Sequence, residues 1–156
     1  MPQSLPLEFD CDPARLDRDM IYHYLSQQSY WAAGLPRDIF ERSLAGSLCF
    51  GAYVDGQQVA FARMITDQAT FAYLADVFVL PLWRGQGVSK ALMAFIMAYP
   101  GLQNLRRMML ATADAHGLYA QYGFGALSSP ERMMEKLDQQ VYQRLAAATD
   151  SRAQQG

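Results

Sequence analysis

The chain has 156 residues, of which 51% are hydrophobic and 18% charged. That composition fits one globular domain with a real core and excludes a disordered chain. A net charge of -2 gives no reason to expect nucleic-acid binding, which is left only a local basic patch as a route.

The opening MPQSLPLEFDCDP has no basic segment before an apolar one, and no apolar run is long enough to span a bilayer, so a cytoplasmic protein is expected. Cys11, Cys49, His23 and His116 make no metal-ligand spacing. The cysteines read as buried or partly buried thiols in a reducing compartment, and no metal is expected.

Leu5–Phe9 alternate weakly and predict a first strand. Asp12-Pro13 reads as a helix start, with aspartate as cap and proline at the first helical position. Leu16, Met20, Ile21, Tyr24 and Leu25 share one helical face. AAGLPRD breaks that helix, and a second short one is expected from Asp38 to about Leu44.

After Gly46 the pattern changes to strands. SLCFGAYVDGQQVAFARMIT predicts a hairpin turning at Asp55-Gly56. ATFAYLADVFVL is apolar along most of its length and predicts a central strand. Val88, Ala91, Leu92, Phe95, Ile96 and Tyr99 recur at helical spacing until Pro100-Gly101. RRMMLAT reads as a strand and AHGLYAQY as a short helix ended by a left-handed Gly123. A last strand is expected near Met133–Lys136. The order predicts a mixed α/β domain over residues 1–145, with a largely antiparallel sheet and one crossover; residues 146–156 are expected to fray.

Between the central strand and the helix lies Arg84-Gly85-Gln86-Gly87-Val88-Ser89. A glycine turn feeding a helix N-terminus directs unpaired backbone N–H groups at one spot, which suits phosphate. It is equally the form of a plain sharp turn. The spacing is wrong for a P-loop, and Lys90 stands where a dinucleotide fingerprint needs its third glycine. The pattern R-x-x-G-x-(G/A) fits, except that Ser89 holds the last place.

A second motif follows in Thr112-Ala113-Asp114-Ala115-His116-Gly117-Leu118-Tyr119-Ala120-Gln121-Tyr122-Gly123-Phe124. With both motifs in order, the sequence resembles the GNAT superfamily of N-acetyltransferases. That superfamily carries an R-x-x-G-x-(G/A) pyrophosphate loop and a downstream N-x-x-A-x-x-L-Y-x-x-x-G-F. Ala115, Leu118, Tyr119, Gly123 and Phe124 match the second motif, and Thr112 replaces its asparagine. The resemblance covers roughly residues 44–137. It implies a GNAT fold whose central sheet is splayed between the fourth and fifth strands, where a bulge in the fourth opens a cleft.

The resemblance further implies acetyl-CoA as co-substrate. Its pyrophosphate would lie on Gly85, Gln86, Gly87, Val88 and Ser89 beside Arg84, with Thr112 and Tyr119 near the donor. The pantetheine arm would pair with the backbone at Phe78 and Val79, where an N–H could stabilise an oxyanion. Tyr119 falls at the position of the general acid. A phenol of pKa about 10 can protonate a thiolate of pKa about 8.5 when held close. Tyr122 reads as packing and is the fallback acid. Asp76, the lone charge of the central strand, is a candidate base or amine binder. Strand alternation makes one pair among Asp76–Val79 face away from the site.

Asp114 reads as the cap of the short helix. His116 is a candidate cleft residue, and Tyr30 and Trp31 are candidates either for the acceptor side or for the core. The implied partner is a small-molecule or peptide amine; neither nucleic acid nor membrane is expected, and the chain is expected to be a monomer or homodimer. Two other functions fit the fold: a CoA-binding sensor without turnover, and a toxin acylating aminoacyl-tRNA. The mild acidity weighs against the second.

Overall fold

The computed structural model describes residues 6–154. They fall into two compact units. The first holds the chain up to Asp17 together with Gly46–Gly125, and the second holds Arg18–Ala45 and the chain from Ala126.

The first unit is built on a five-stranded sheet of order β1-β2-β3-β4-β5: β1 Leu7–Asp10, β2 Leu48–Val54, β3 Gln57–Thr66, β4 Phe71–Val79 and β5 Arg107–Leu110. The first three pairings are antiparallel and the last is parallel. This is the expected mixed α/β fold with one crossover. The β2–β3 hairpin turns at Asp55 (φ 50°) and Gly56 (φ 80°), so both turn residues are left-handed, as a two-residue hairpin of this kind requires.

The crossover helix α3, Val88–Met97, buries Val88, Leu92, Met93 and Ile96. They form one cluster with Phe50, Ala52, Val59, Ala60, Ala62, Met64, Ala72 and Leu74 from the sheet. The short helix α4, His116–Ala120, adds Tyr119 to the same cluster. Cys49 is buried and Cys11 half-buried, both as free thiols.

Three expectations change. Asp12 does cap, accepting from the Ala14 N–H at 2.9 Å, but only a single 3-10 turn, Pro13–Arg15, follows before Leu16 turns extended (ψ 133°). The start signal was local, and it supports one turn only. The strand expected at Met133–Lys136 is absent: a 3-10 turn at Pro130–Arg132 precedes exposed, irregular chain. Met-Met-Glu-Lys has no apolar–polar alternation, and it gains no ladder among the described residues. Of the end expected to fray, residues 146–154 lie within the helix α5, Val141–Gln154; its alanines are strong helix formers. Leu5, in the expected first strand, lies outside the described residues.

In the second unit, α1, Arg18–His23, widens into a π-helical turn at Tyr24–Gln28. The Ser29 N–H reaches the Tyr24 carbonyl, five residues back, at 2.9 Å. Ser29 Oγ donates to the Leu25 carbonyl and accepts from the Ala32 N–H. Helix α2, Arg37–Ala45, is tied to α1 by ion pairs from Arg37 to Asp19 and from Arg18 to Glu41.

Candidate active site

Strand β4, expected as the central strand and found fourth of five, carries a bulge. Phe61 lies opposite Phe78, but Arg63 lies opposite Ala75, so Asp76 and Val77 together face the single residue Ala62. Asp76 has φ 56°, the left-handed conformation that such an extra residue takes. The parity of the strand therefore changes at this point. Ala72 and Leu74 enter the core before the bulge, whereas Val77 and Val79 pack on it afterwards. Phe78 is turned to the other face, with its ring 5.9 Å from that of Phe61. Simple alternation through Asp76–Val79 fails because the bulge adds one residue.

The bulge also marks where the sheet opens. Pairing between β4 and β5 ends at Leu74 and Leu110, and Ala75–Val79 continue along β3 alone. The Leu80 N–H donates to the Val59 carbonyl at 2.9 Å. Main-chain groups alternate sides along a strand, so Phe78 also bonds towards β3. Val77 and Val79 therefore turn their N–H and C=O groups to the open edge. Of the two residues singled out for this edge, the geometry selects Val79, and Val77 joins it.

The glycine loop begins where that edge ends. A 3-10 turn, Pro81–Trp83, leads into Arg84, then Gly85 (φ 75°) and Gly87 (φ 79°). A Cβ on either glycine would meet nothing within 4 Å. The glycines are therefore demanded by backbone conformation, and a ligand can approach the loop closely. Gly87 is the N-cap of α3 and supplies no capping side chain. The first helical N–H groups thus lack both an intrahelical and a side-chain acceptor at this end. The exposed side chains of Arg84 and Lys90 add positive charge. Arg84 Nε also donates to the Val79 carbonyl at 3.0 Å, which locks the loop to the end of β4. Gln86 Nε2 bonds to the Leu82 carbonyl within the loop.

The chain is held on both sides of the short helix α4. Thr112 Oγ1 accepts from the N–H groups of Ala115 at 3.0 Å and Asp114 at 3.4 Å. Neither Thr112 nor Asp114 caps the helix, whose N-cap is Ala115 without a side-chain bond; the Thr112 hydroxyl instead closes the turn that leads into it, a local side-chain-to-backbone bond of the kind threonine makes in turns. At the other end, the Phe124 N–H bonds to the Tyr119 carbonyl and the Gly123 N–H to the Ala120 carbonyl, with Gly123 at φ 92°. This is a Schellman stop, and its usual hydrophobic contact is made by Phe124 on Tyr119, with ring centroids 6.1 Å apart. Gly123-Phe124 thus both ends α4 and fixes the Tyr119 ring, which is buried. Gly123→Ala forces a Cβ into left-handed space and should cost about 1–2 kcal/mol, read as a shift of the urea midpoint at constant slope.

Tyr122 has a different function. Its hydroxyl donates to the Lys90 carbonyl at 2.7 Å, tying α4 to the first turn of α3. Its spacing from Tyr119 suggested packing, which this bond strengthens.

Asp76, the candidate base, is engaged elsewhere: Arg63 Nε donates to its Oδ2 at 2.6 Å. His116 opens α4 and is exposed. Tyr30 and Trp31 belong to the second unit and follow the π-helical turn. Both are exposed, with Tyr30 edge-on to Trp31 and Trp31 tilted against Tyr24, so core packing does not account for them. Among the described residues, no group of three His, Cys, Asp or Glu could hold a metal, and no helix is long and apolar enough to cross a membrane.

These features sit within the part of the chain that known proteins share. The profile of the acetyltransferase (GNAT) domain matches residues 45–125. A Xanthomonas campestris pv. campestris protein placed in the GNAT family is 52% identical in sequence. Its structure superposes with a TM-score of 0.86, covering 88% of this chain and 98% of that one. A Gibberella zeae protein whose name assigns it to the acetyltransferases is 36% identical over 130 residues, covering 70% of this chain and 73% of its own. A Clostridium acetobutylicum structure, described as an acetyltransferase with acetyl-CoA, shares the fold at 15% identity and a TM-score of 0.55, covering 84% and 96% of the two chains.

Proposed function

The chain belongs to the GNAT family of acetyltransferases, and from that premise we propose that it transfers the acetyl group of acetyl-CoA to a primary amine of a small molecule or peptide, by direct attack in a ternary complex. One observation carries the reading: Gly85 and Gly87, both at positive φ, feed an uncapped helix N-terminus, and Arg84 fastens that loop to the unpaired edge of β4. A ligand with a diphosphate and a hydrogen-bonding arm suits those two features in that order.

Acetyl-CoA supplies a thioester carbonyl and a thiolate leaving group. The N–H groups from Gly85 to Ser89 hold the pyrophosphate, with Arg84 and Lys90 adding charge. Val77 and Val79 orient the pantetheine arm through their outward main-chain groups, as an added strand would be oriented. The Val79 N–H faces the place where negative charge develops on the carbonyl oxygen. Tyr119 Oη holds the proton delivered to sulfur. Thr112 acts through the turn before α4, by holding the N–H groups of Asp114 and Ala115 ahead of the helix that carries Tyr119.

The test is acetyl-CoA consumption against a broad panel of primary amines, with thermal shift by CoA measured in parallel. Amine-dependent release of CoA is expected. A protein stabilised by CoA yet inert on every amine would instead be a CoA-binding module, and one indifferent to CoA would sink the reading altogether.

A further inference from the structure

Arg63 on β3 has no part in the chemistry above, yet it reaches the bulge of β4. Its Nε donates to Asp76 Oδ2 at 2.6 Å, and its Nη1 donates to Ser47 Oγ at 2.9 Å. The Arg63 and Asp76 side chains are only 16% and 11% exposed. We propose that Arg63 is a positioning residue for acyl transfer: it clamps Asp76 in the left-handed conformation and thereby sets the bulge that turns the Val79 N–H to the open edge. The proposal rests on the acetyl-CoA reading of that edge.

Three observations support the clamp. Asp76 adopts φ 56° without being glycine. Aspartate tolerates this region better than most residues, but glycine would take it freely, so an aspartate there calls for something to hold it. Arg63 lies opposite Ala75, the residue just before the bulge. The ion pair therefore binds the extra residue to the neighbouring strand where the register changes. Finally, Arg63 uses two different nitrogens on two partners, a planar fork that the single ammonium of lysine cannot reproduce.

The geometric consequence is specific. Without the extra residue, alternation would run unbroken from Leu74, and Phe78 rather than Val79 would offer its N–H to the open edge. The donor facing the developing charge would be displaced, and the pyrophosphate loop, bonded to the Val79 carbonyl, would lose its anchor. Asp76 then serves the reaction through its backbone conformation, with its carboxylate employed to hold that conformation against Arg63.

The test compares wild type, Arg63→Met, and the double variant Arg63→Met/Asp76→Gly. The single variant deprives a mostly buried carboxylate of its guanidinium. The double removes that carboxylate and installs the residue that adopts positive φ unaided. Each protein is assayed well below its own melting temperature. The single variant should lose about 10–100-fold in kcat/KM for acetyl-CoA, the scale of a misplaced catalytic group. The double should return to within about threefold of wild type, because glycine needs no clamp.

An Arg63→Met protein that melts earlier but keeps its kcat/KM when folded would overturn the proposal, since Arg63 would then support stability alone. A double variant as impaired as the single would also overturn it, because the carboxylate itself would be needed. Should wild type acetylate no amine, the acetyltransferase reading fails by itself. The clamp is then judged by equilibrium binding of CoA, where weakening in the single and recovery in the double are again expected, and any other order rejects it.

Discussion

Gly87→Asp is expected to abolish CoA binding while leaving a folded protein. The glycine is the N-cap of α3 at φ 79°, beside the first N–H groups of the helix. Aspartate there acts in two ways. Its carboxylate competes for those N–H groups, as capping aspartates do, and it sets a negative charge against the pyrophosphate. A charge-assisted hydrogen bond is worth about 1.5–3 kcal/mol. Losing one and adding a repulsion should weaken CoA by about 100-fold or more, at about 1.4 kcal/mol per tenfold.

The fold should tolerate the change. A Cβ at Gly87 meets no atom within 4 Å, and an L-residue at positive φ costs about 1–2 kcal/mol, part of which the new cap offsets. Isothermal titration with CoA, beside thermal unfolding, separates the two effects. Normal CoA affinity in this variant would remove the loop from the binding site.

Tyr119→Phe is expected to separate turnover from binding in the opposite sense. The substitution keeps the ring packed on Phe124 and deletes only the hydroxyl. Loss of a positioned general acid costs about 10²–10⁴-fold in rate, so kcat should fall by at least about 100-fold, with little change in CoA affinity. Stability should change little, because the ring and its packing are retained. Rapid-quench measurement of acetyl transfer, at a temperature where both proteins are folded, reads the chemical step directly. An unchanged kcat would exclude Tyr119 as the acid, and Tyr122 would not simply inherit the role: its hydroxyl already bonds to the Lys90 carbonyl, an anchor that proton delivery would disturb.

The two motifs were legible because their physics is short-range. Gly85, Gly87 and Gly123 each stand where the backbone is left-handed, and residues a few places away suffice to require it. The Gly123-Phe124 pair terminates α4 and packs on Tyr119 through bonds spanning five residues. The hairpin at Asp55-Gly56 and the amphipathic α3 are local in the same way. Where local signals were weak or incomplete, the expectation went astray. Asp12-Pro13 began one turn and no more, Met133–Lys136 had no periodicity of its own to make a strand, and the alanine-rich end favoured a helix that its small polar residues concealed.

What the amino-acid order determined by itself was therefore the run of elements from β2 to α4 and their sequence along the chain, the glycine cradle and the helix that presents Tyr119. The tertiary structure alone decided how these combine. The bulge at Asp76 has no signature of its own in an apolar run; it is visible only as a slip in register against β3. That slip decides which N–H groups reach the open edge. The Arg63–Asp76 pair spans 13 residues and the Tyr122–Lys90 bond 32. Arg84 looked like a phosphate ligand in sequence, and only its bond to the Val79 carbonyl shows that it also joins loop to strand. Periodicity and turn chemistry act over a few residues and can be read in one dimension, whereas register and side-chain pairing depend on which distant segments the fold brings together.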